Sequence, residues 1–209
     1  MYLPPQFDAK DRSHALTLMR EHPFASLIST DEQGLPFVTH LPLKAEEGEG
    51  EGGALTLLGH VARGNPHARY LQQRPRAVAT FLGGHAYMSP SVYPDLQRVP
   101  TWNYVAVHCT VEARLIEDAQ AKDALLKKLI AEHEPSYAAQ WRSLSEDYAQ
   151  KMLSAIVAFE LRVTELQCKL KLNQHRPEAH AAMHAGYITG SESERELATW
   201  MERLGLHAR

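Results

Sequence analysis

Alternation of apolar and polar residues is clearest from Tyr104 to Ile116, and it predicts a β-strand. Successive side chains of a strand point to opposite faces, so the apolar and polar positions of this segment separate. The two sets are Val105, Val107, Cys109 and Val111 on one face and His108, Thr110 and Glu112 on the other. One face is therefore expected in the core and the other against solvent or a partner.

Shorter segments with a similar pattern predict five further strands, at 24–30, 36–43, 54–61, 77–82 and 155–163. The turn sequence Asp31-Glu32-Gln33-Gly34 separates the first two of them and predicts a β-hairpin. Residues 46–53 alternate glutamate with glycine and cannot bury apolar area. We therefore expect them to form a mobile, solvated hairpin tip.

Helical spacing of apolar residues predicts helices at 11–22 and 119–133, and a further helix starts at Pro66. The C-terminal part is also expected to be helical, because Ser193 and Glu196 fit a capping box ahead of an apolar stripe. Many antiparallel strands with few intervening helices favour a β-barrel with helical additions over a βαβ nucleotide-binding fold. The sequence also lacks the GxGxxG and P-loop patterns that bind dinucleotides and nucleoside triphosphates.

Length and composition fit one large domain, alone or with a helical appendage, since 44% of the 209 residues are hydrophobic. The formal charge of -3, from 22 basic and 25 acidic residues, gives no general attraction to nucleic acid or anionic membranes. No apolar stretch is long enough to span a bilayer, and residues 1–5 do not resemble a signal peptide, so a cytoplasmic protein is expected. Cys109 and Cys168 are isolated and are expected to be small buried hydrophobic residues.

Residues 59–67, Gly-His-Val-Ala-Arg-Gly-Asn-Pro-His, combine groups that bind a phosphate. A strand ends here, Gly64 allows close approach of the backbone, and a helix starting at Pro66 would direct free N–H groups to the same place as Arg63. The arginine fork can hold two phosphate oxygens, and His60 could add a third donor. A capped helix with a surface arginine explains the same residues about equally well.

Aromatic, hydroxyl and amide side chains crowd the segment from Tyr87 to Tyr104, between two predicted strands. Pro90, Pro94 and Pro100 make this segment unsuitable for a core strand, and its aromatic content is too high for a solvated loop. Flat apolar surface with a few hydrogen-bonding groups suits a planar heteroaromatic ligand. Packing of a barrel end explains any single ring as well, so the interpretation depends on the phosphate motif. Together the two features predict a flat ligand with a phosphate tail.

These motifs resemble those of the PaiB-type FMN-binding negative transcriptional regulators, which belong to the FMN-binding split-barrel superfamily along with pyridoxamine phosphate oxidase-like proteins. The matching segments are Met1-Tyr2-Leu3-Pro4, Leu41-Pro42, His60-Val61-Ala62-Arg63, Asn65-Pro66, Tyr87-Met88-Ser89-Pro90, Val99 to Tyr104 and Lys171-Leu172. The resemblance implies a mainly β (α+β) fold, a six-stranded-type antiparallel split β-barrel with flanking helices and a helical C-terminal extension. It also implies FMN at the interface of a homodimer.

The resemblance further implies a division of the chain and a set of FMN contacts. Residues 1–165 would form the FMN-binding barrel, and residues 166–209 a helical extension packed on the barrel or on the dimer partner. The implied cofactor-binding residues are Thr39, His40, His60, Arg63, Asn65, Trp102, Asn103 and Tyr104. The first two lie on the strand that commonly lines the flavin, the middle three hold its phosphate and ribityl chain, and the last three close the ring pocket. No metal ligand is implied.

The chain departs from the family pattern at its C-terminal motif. Asn173 and His175 stand where a Lys-Leu-Ser-Gln-Asn motif has Ser and Asn. The contribution of this segment to the site is therefore left open.

Repression implies DNA as a partner, but no segment of the sequence is recognisable as a DNA-reading element. The stretch from Pro177 to Leu204, with residues 186–190 as its turn, is the one most similar to a helix-turn-helix. Its second helix carries Glu192, Glu194, Glu196 and Glu202 against Arg195 and Arg203. Because DNA phosphates repel an acidic helix, core packing or dimer contact is the better explanation of its apolar stripe.

Two other functions stay open. The first is an FMN-dependent oxidoreductase, because the cofactor itself supplies redox chemistry, with His40 as a proton donor unless that residue is structural. The second is haem binding or degradation, which related split barrels perform. His180 and His184 lie four residues apart on a predicted helix and could bind metal, although a surface helix explains them equally well.

Overall fold

The computed structural model describes residues 1–50 and 52–207. Seven strands of this described part form one sheet, in the order β2-β1-β5-β6-β7-β4-β3. The strands are β1 (Phe24–Thr30), β2 (Pro36–Pro42), β3 (Lys44–Glu47), β4 (Leu55–Ala62), β5 (Arg76–Met88), β6 (Thr101–Ile116) and β7 (Ile156–Lys171). The pairs β1–β2, β1–β5, β3–β4 and β4–β7 are antiparallel. The predicted predominance of antiparallel strands is confirmed.

Seven α-helices accompany the sheet within the same residues. They are α1 (Arg12–Glu21), α2 (His67–Gln73), α3 (Ala119–His133), α4 (Tyr137–Ser143), α5 (Glu146–Ser154), α6 (His180–Ile188) and α7 (Glu192–Arg203). The sequence pattern predicted α1, α2, α3 and the helical C-terminus. It missed α4 and α5.

Three strands are longer than the alternation of residues indicates. β5 continues to Met88, β6 begins at Thr101 and β7 continues to Lys171. The sequence placed the whole aromatic segment, from Tyr87 to Tyr104, between two strands. In the structure its two ends belong to β5 and β6, which corrects that prediction. The three prolines of that segment all lie between β5 and β6, since proline cannot donate to a central β-ladder.

The predicted hairpin tip also needs a correction. Glu46 and Glu47 belong to β3 and pair with Thr56 and Leu55 of β4. β3 lies at the edge of the sheet, where charged side chains can remain in solvent. The same predicted tip includes Glu51, which lies outside the described residues.

Two compact units divide the chain, and each is assembled from separate segments. The first unit comprises Met1–His22, Phe81–His108 and Gln167–Arg209, and the second comprises Pro23–Thr80 and Cys109–Leu166. The boundary expected at residue 165 lies inside β7.

The first unit buries the apolar stripes of α1, α6 and α7. Its most buried side chains include Leu18, Met19, Met183, Leu197, Trp200 and Met201. α7 begins two residues earlier than predicted, because Ser191 and Glu194 form the capping box in place of Ser193 and Glu196. The packing of α7 supports the expectation that its apolar stripe is a core feature.

The second unit has its core between the sheet and α3. Leu125 and Leu129 of α3 pack on Leu58, Ile116 and Ala158. The two cysteines, one in each unit, are buried and not joined in a disulfide, as predicted. Burial raises the pKa of the Cys168 thiol to about 12, so this residue is a poor nucleophile.

Candidate functional site

Arg63 directly follows β4, and its side chain is exposed. Its guanidinium donates from Nε to the Ser154 carbonyl and from Nη2 to the Ile156 carbonyl, the latter at 3.2 Å. Ser154 is the last residue of α5, and a helix end presents carbonyls without helical partners. These two hydrogen bonds orient the guanidinium of Arg63, while its Nη1 donates to no residue in the described part of the chain. Arg63 is therefore held in place with a donor group available for an anion.

Thr39 and Asn65 come together at the start of α2. Asn65 Nδ2 donates to Thr39 Oγ1 at 3.2 Å, and Asn65 Oδ1 accepts from the backbone N–H of His67 at 2.9 Å. Asn65 thus performs the capping role that the sequence predicted. Because both ends of its amide are occupied, the capped-helix interpretation accounts for this residue.

His67 is a third member of this cluster, and it was not among the predicted contacts. Its ring Nδ1 lies 2.8 Å from Thr39 Oγ1, and the residue is fully buried. Burial lowers its pKa to about 4, so the ring is neutral. Thr39 Oγ1 therefore contacts both Asn65 and His67. The only sequence signal for this role is the position of His67, two residues after the capping asparagine.

His60 lines a separate cavity of the second unit, with a volume of about 320 Å³. The walls are largely apolar and include Pro42, Leu126, Leu129 and Ile130. The Nδ1 atom of His60 is buried and has no hydrogen-bond partner among the described residues. Burial also lowers the pKa of the imidazole, which favours the neutral form. This cavity offers mainly apolar surface, and its polar lining residues are His60, His133, Glu134 and Tyr137.

His40 and Thr39 lie on opposite faces of β2, because they are adjacent in a strand. His40 Nδ1 is 3.0 Å from Ser26 Oγ, and the imidazole stacks against Phe24 with ring centroids 6.3 Å apart. Phe24 is 69% exposed, and Val38 on the same face is 45% exposed. His40 therefore belongs to a solvent-facing, partly apolar surface of the β1–β2 hairpin.

Trp102, Asn103 and Tyr104 are consecutive in β6, so the structure does not bring all three to one face. Trp102 is 54% exposed and lies beside His85 and Tyr87. The ring of Tyr104 lies 5.1 Å from Lys169 Nζ and 5.9 Å from Lys171 Nζ, within the range of cation–π attraction.

Asn103 faces the other way, into the interior of the first unit. It is fully buried, and its Nδ2 donates to the Tyr187 hydroxyl at 2.9 Å. Burial raises the pKa of Tyr187 to about 12, so the phenol is protonated. The Oδ1 atom of Asn103 has no partner in the described residues.

The two departures from the family motif occupy defined positions in the first unit. Asn173 has a left-handed backbone, with φ of 62°, and exchanges hydrogen bonds with the Tyr93 hydroxyl. The carbonyl of Asn173 lies 3.0 Å from His180 Nε2, while His175 contacts the edge of Phe7.

His180 and His184, the pair considered for metal, have separate partners. His180 pairs with the Asn173 carbonyl, and His184 with the Glu202 carboxylate at 2.9 Å. A search of the described residues finds no group of three or more metal-binding side chains. No helix among these residues is both long enough and apolar enough to cross a membrane.

The fold is that of a split barrel. The FAD- and haem-binding protein from Mycobacterium smegmatis has a TM-score of 0.60 and 19% identity, and the match covers 78% of this chain and 73% of that one. The flavocytochrome Anf3 from Azotobacter vinelandii has a TM-score of 0.58 and 20% identity, with coverage of 78% and 69%. These likenesses show the fold alone.

The chain belongs to the family described as "Putative FMN-binding domain", whose sequence model matches residues 1–165. A curated relative, protease synthase and sporulation protein PAI 2 of Bacillus subtilis (strain 168), is 33% identical over 179 residues. The match spans 85% of this chain and 84% of that protein. The predicted split-barrel fold and the resemblance to PaiB-type proteins are confirmed, and FMN is the cofactor of this family.

Proposed function

We propose that the protein binds FMN as a homodimer and that Arg63 holds the FMN phosphate. FMN is proposed as the ligand because of family membership, and Arg63 is proposed as its phosphate contact because of the geometry of the guanidinium. Two main-chain carbonyls fix the guanidinium, so little side-chain freedom is lost when an anion binds to Nη1. An arginine fork is well suited to phosphate oxygens.

His60 and its cavity fit the flavin ring. The cavity has the apolar walls that a planar ring system needs, and His60, whose neutral imidazole lines it, can meet the polar edge of that ring. Arg63 is three positions after His60, a reach of about 10 Å in extended chain. Ring and phosphate contacts from these two residues are therefore compatible with one ligand. When bound, FMN supplies electron-transfer chemistry.

Exposed apolar residues support the dimer. The β1–β2 face of the second unit presents Phe24 and Val38 to solvent, and the first unit presents Leu82, Tyr87 and Trp102. Clusters of large exposed apolar side chains are typical of protein interfaces. A second copy of the chain is the partner that the family resemblance implies.

Negative transcriptional regulation and a cytoplasmic location stay predictions from the sequence. The described residues of α7 carry four glutamates, and its apolar side chains are used in the core of the first unit. We therefore centre the proposal on flavin binding and not on DNA reading.

Replacement of Arg63 tests the phosphate assignment. We expect Arg63→Ala to weaken FMN binding by about 1.5–3 kcal/mol, the contribution of a hydrogen bond to a charged group. Fluorescence titration of FMN against the wild-type and variant chains measures this difference. Circular dichroism accompanies the titration, because Arg63 also bonds to the end of α5.

Arg69→Ala is the matched control. Arg69 is an exposed arginine of α2 that pairs with Glu32, and we assign it no contact with FMN. Its removal is expected to leave the FMN dissociation constant unchanged. Equal constants for wild type and a folded Arg63→Ala variant would refute the phosphate assignment.

A further inference from the structure

A second cavity, which has several polar and charged lining residues, lies entirely within the first unit. Its volume is about 320 Å³, and it is lined by the ends of β6 and β7 and by the segment that precedes β6. We call it the Lys171 cavity. The size is at the lower end of the range for small-molecule sites, about 300–1,000 Å³. Of the residues that the resemblance assigns to FMN, Asn103 lines this cavity, and Thr39, His40, His60, Arg63 and Asn65 of the second unit do not.

The permanently charged residues that line the Lys171 cavity are all basic. Arg98, Lys171 and Arg176 line it, and none of the described lining residues is acidic. Arg98 is paired outside the lining with Asp95 at 2.8 Å and with Glu178 at 3.3 Å. The excess positive charge therefore comes from Lys171 and Arg176.

Lys171 is held by neutral groups. Its Nζ donates to Thr101 Oγ1 at 2.6 Å and to the Trp102 carbonyl at 2.7 Å. Partial burial, and then the nearby Lys169, lower the pKa of this ammonium group. A partly buried cation with only neutral acceptors is stabilised when an anion joins it.

The wall of the cavity is fixed around Asn173. This residue is the only non-glycine residue in the described chain with positive φ. Asn173 Nδ2 donates to the Tyr93 hydroxyl at 2.9 Å, and the Asn173 carbonyl oxygen lies 3.0 Å from His180 Nε2. A left-handed residue held by several bonds at a cavity wall is a common feature of ligand sites.

Asn103 supplies an independent observation. It lines the same cavity and is fully buried, yet its Oδ1 has no hydrogen-bond partner among the described residues. Buried polar atoms nearly always have a partner, so an unsatisfied acceptor on a residue that lines a cavity points to a missing one. A hydrogen-bond donor on a bound molecule would satisfy it. Phe7, Met88 and Val99 add an apolar part to the lining.

We propose that the Lys171 cavity binds a small organic anion, a carboxylate or a phosphate ester with an apolar body, whose charge lies against Lys171 and Arg176. The apolar lining residues receive the body of the ligand. This site is separate from the FMN phosphate contact at Arg63.

Calorimetric titration of the full chain tests this proposal, with benzoate and phenyl phosphate as the anions and benzyl alcohol as the uncharged comparison. We expect one or both anions to bind and benzyl alcohol to bind about tenfold more weakly or not at all. The relative affinities of benzoate and phenyl phosphate distinguish a carboxylate site from a phosphate site. The titration is made with and without saturating FMN, so that the test of the anion site does not depend on whether the protein binds FMN.

Lys171→Met is expected to lower anion affinity by about tenfold or more, and Lys171→Arg to retain most of it. Lys151→Met, at an exposed lysine of α5, is the control and should change nothing. If Lys171→Met does not fold, Arg176→Met replaces it, since Arg176 is an exposed lining residue.

Three results would overturn the proposal. They are the absence of binding by either anion, equal binding of benzyl alcohol, and anion binding that survives both Lys171→Met and Arg176→Met. A fourth is a loss of FMN affinity in Lys171→Met that matches the loss of anion affinity, because it would assign the cavity to the cofactor. Failure of the FMN proposal alone would show in Arg63→Ala and leave the anion titration unchanged.

Discussion

His22 and Glu196 form an ion pair in the first unit, with His22 Nε2 2.7 Å from Glu196 Oε1. The hydrogen bond that His22 donates to Glu196 raises the pKa of His22 above its ordinary value of 6.5, against the effect of burial. Burial opposes ionisation of Glu196, but the bonds from His22 and the Gly84 N–H outweigh it, so its pKa falls below 4.5. Both shifts show that the folded protein favours the charged pair.

The pair therefore stabilises the protein within a limited pH range. The contribution of His22 is complete below pH 6.5 and is lost as the pH rises through its raised folded-state pKa. The contribution of Glu196 is complete above pH 4.5 and is lost as the pH falls through its lowered pKa. We predict that the pair contributes most to the free energy of unfolding between about pH 4.5 and 6.5.

Urea unfolding of wild type and Glu196→Gln across this pH range measures the contribution. The difference in unfolding free energy between the two proteins should be largest inside the window and shrink at higher pH. Glu21 acts on His22 and remains in the variant, so its effect cancels in the difference. The attraction of Arg203 to Glu196 is lost in the variant, but it adds a constant amount across this range, because Arg203 stays charged. A difference that does not vary with pH would contradict the assignment.

Single residues of the candidate site were predictable to different degrees. The capping role of Asn65 follows from local sequence, because an asparagine before proline at a helix start is a local signal. The burial of Asn103 does not follow, since it depends on β6 beginning at Thr101, three residues before the alternation becomes clear. The partners of Arg63 come from residues about ninety positions away, which sequence reading cannot supply.

At the scale of elements, two adjacent glycines let α7 approach β5 closely. A Cβ atom on Gly84 would lie 2.7 Å from the Ser193 carbonyl oxygen, and one on Gly83 would lie 2.7 Å from Glu196 Oε1. The Ser193 hydroxyl also bonds to the backbone of His85 on both its N–H and its carbonyl. The short contact therefore depends on glycine at both positions.

We predict that Gly84→Ala destabilises the protein by about 1–3 kcal/mol, because backbone on both sides must shift to admit the methyl group. Gly186→Ala is the control, since a Cβ there meets nothing within 4 Å and the residue is inside α6. Alanine should stabilise that helix by about 0.5–1 kcal/mol. Thermal unfolding of both variants measures the effects, and equal melting temperatures would refute the close-packing argument.

Elements with weak apolar patterns were the ones that sequence reading missed. α4 buries no residue and α5 buries only Leu153, so neither shows the apolar stripe that identifies a helix. The last part of β7 was missed because Lys169 and Lys171 interrupt its apolar pattern. Lys169 is nevertheless buried, with its ammonium group near the rings of Tyr2 and Tyr104.

At the scale of the whole molecule, the sequence predicted the fold class and the family. Both depend on features spread along the chain, namely the number of strands and the motifs common to PaiB-type proteins. The distribution of the predicted FMN residues between two compact units was not predictable. Each unit is assembled from distant segments, so the neighbours of a residue are set by long-range pairing.

An FMN-bearing dimer is the central claim, and one measurement tests it directly. The full chain is saturated with FMN and passed through size-exclusion chromatography with light scattering and full absorbance spectra. We predict a single peak with twice the mass of one chain and flavin absorbance equivalent to about one FMN per chain, as expected for one cofactor site in each subunit. A monomer that elutes without flavin, or a protein that excludes FMN but shows a Soret band with haem, would contradict the account.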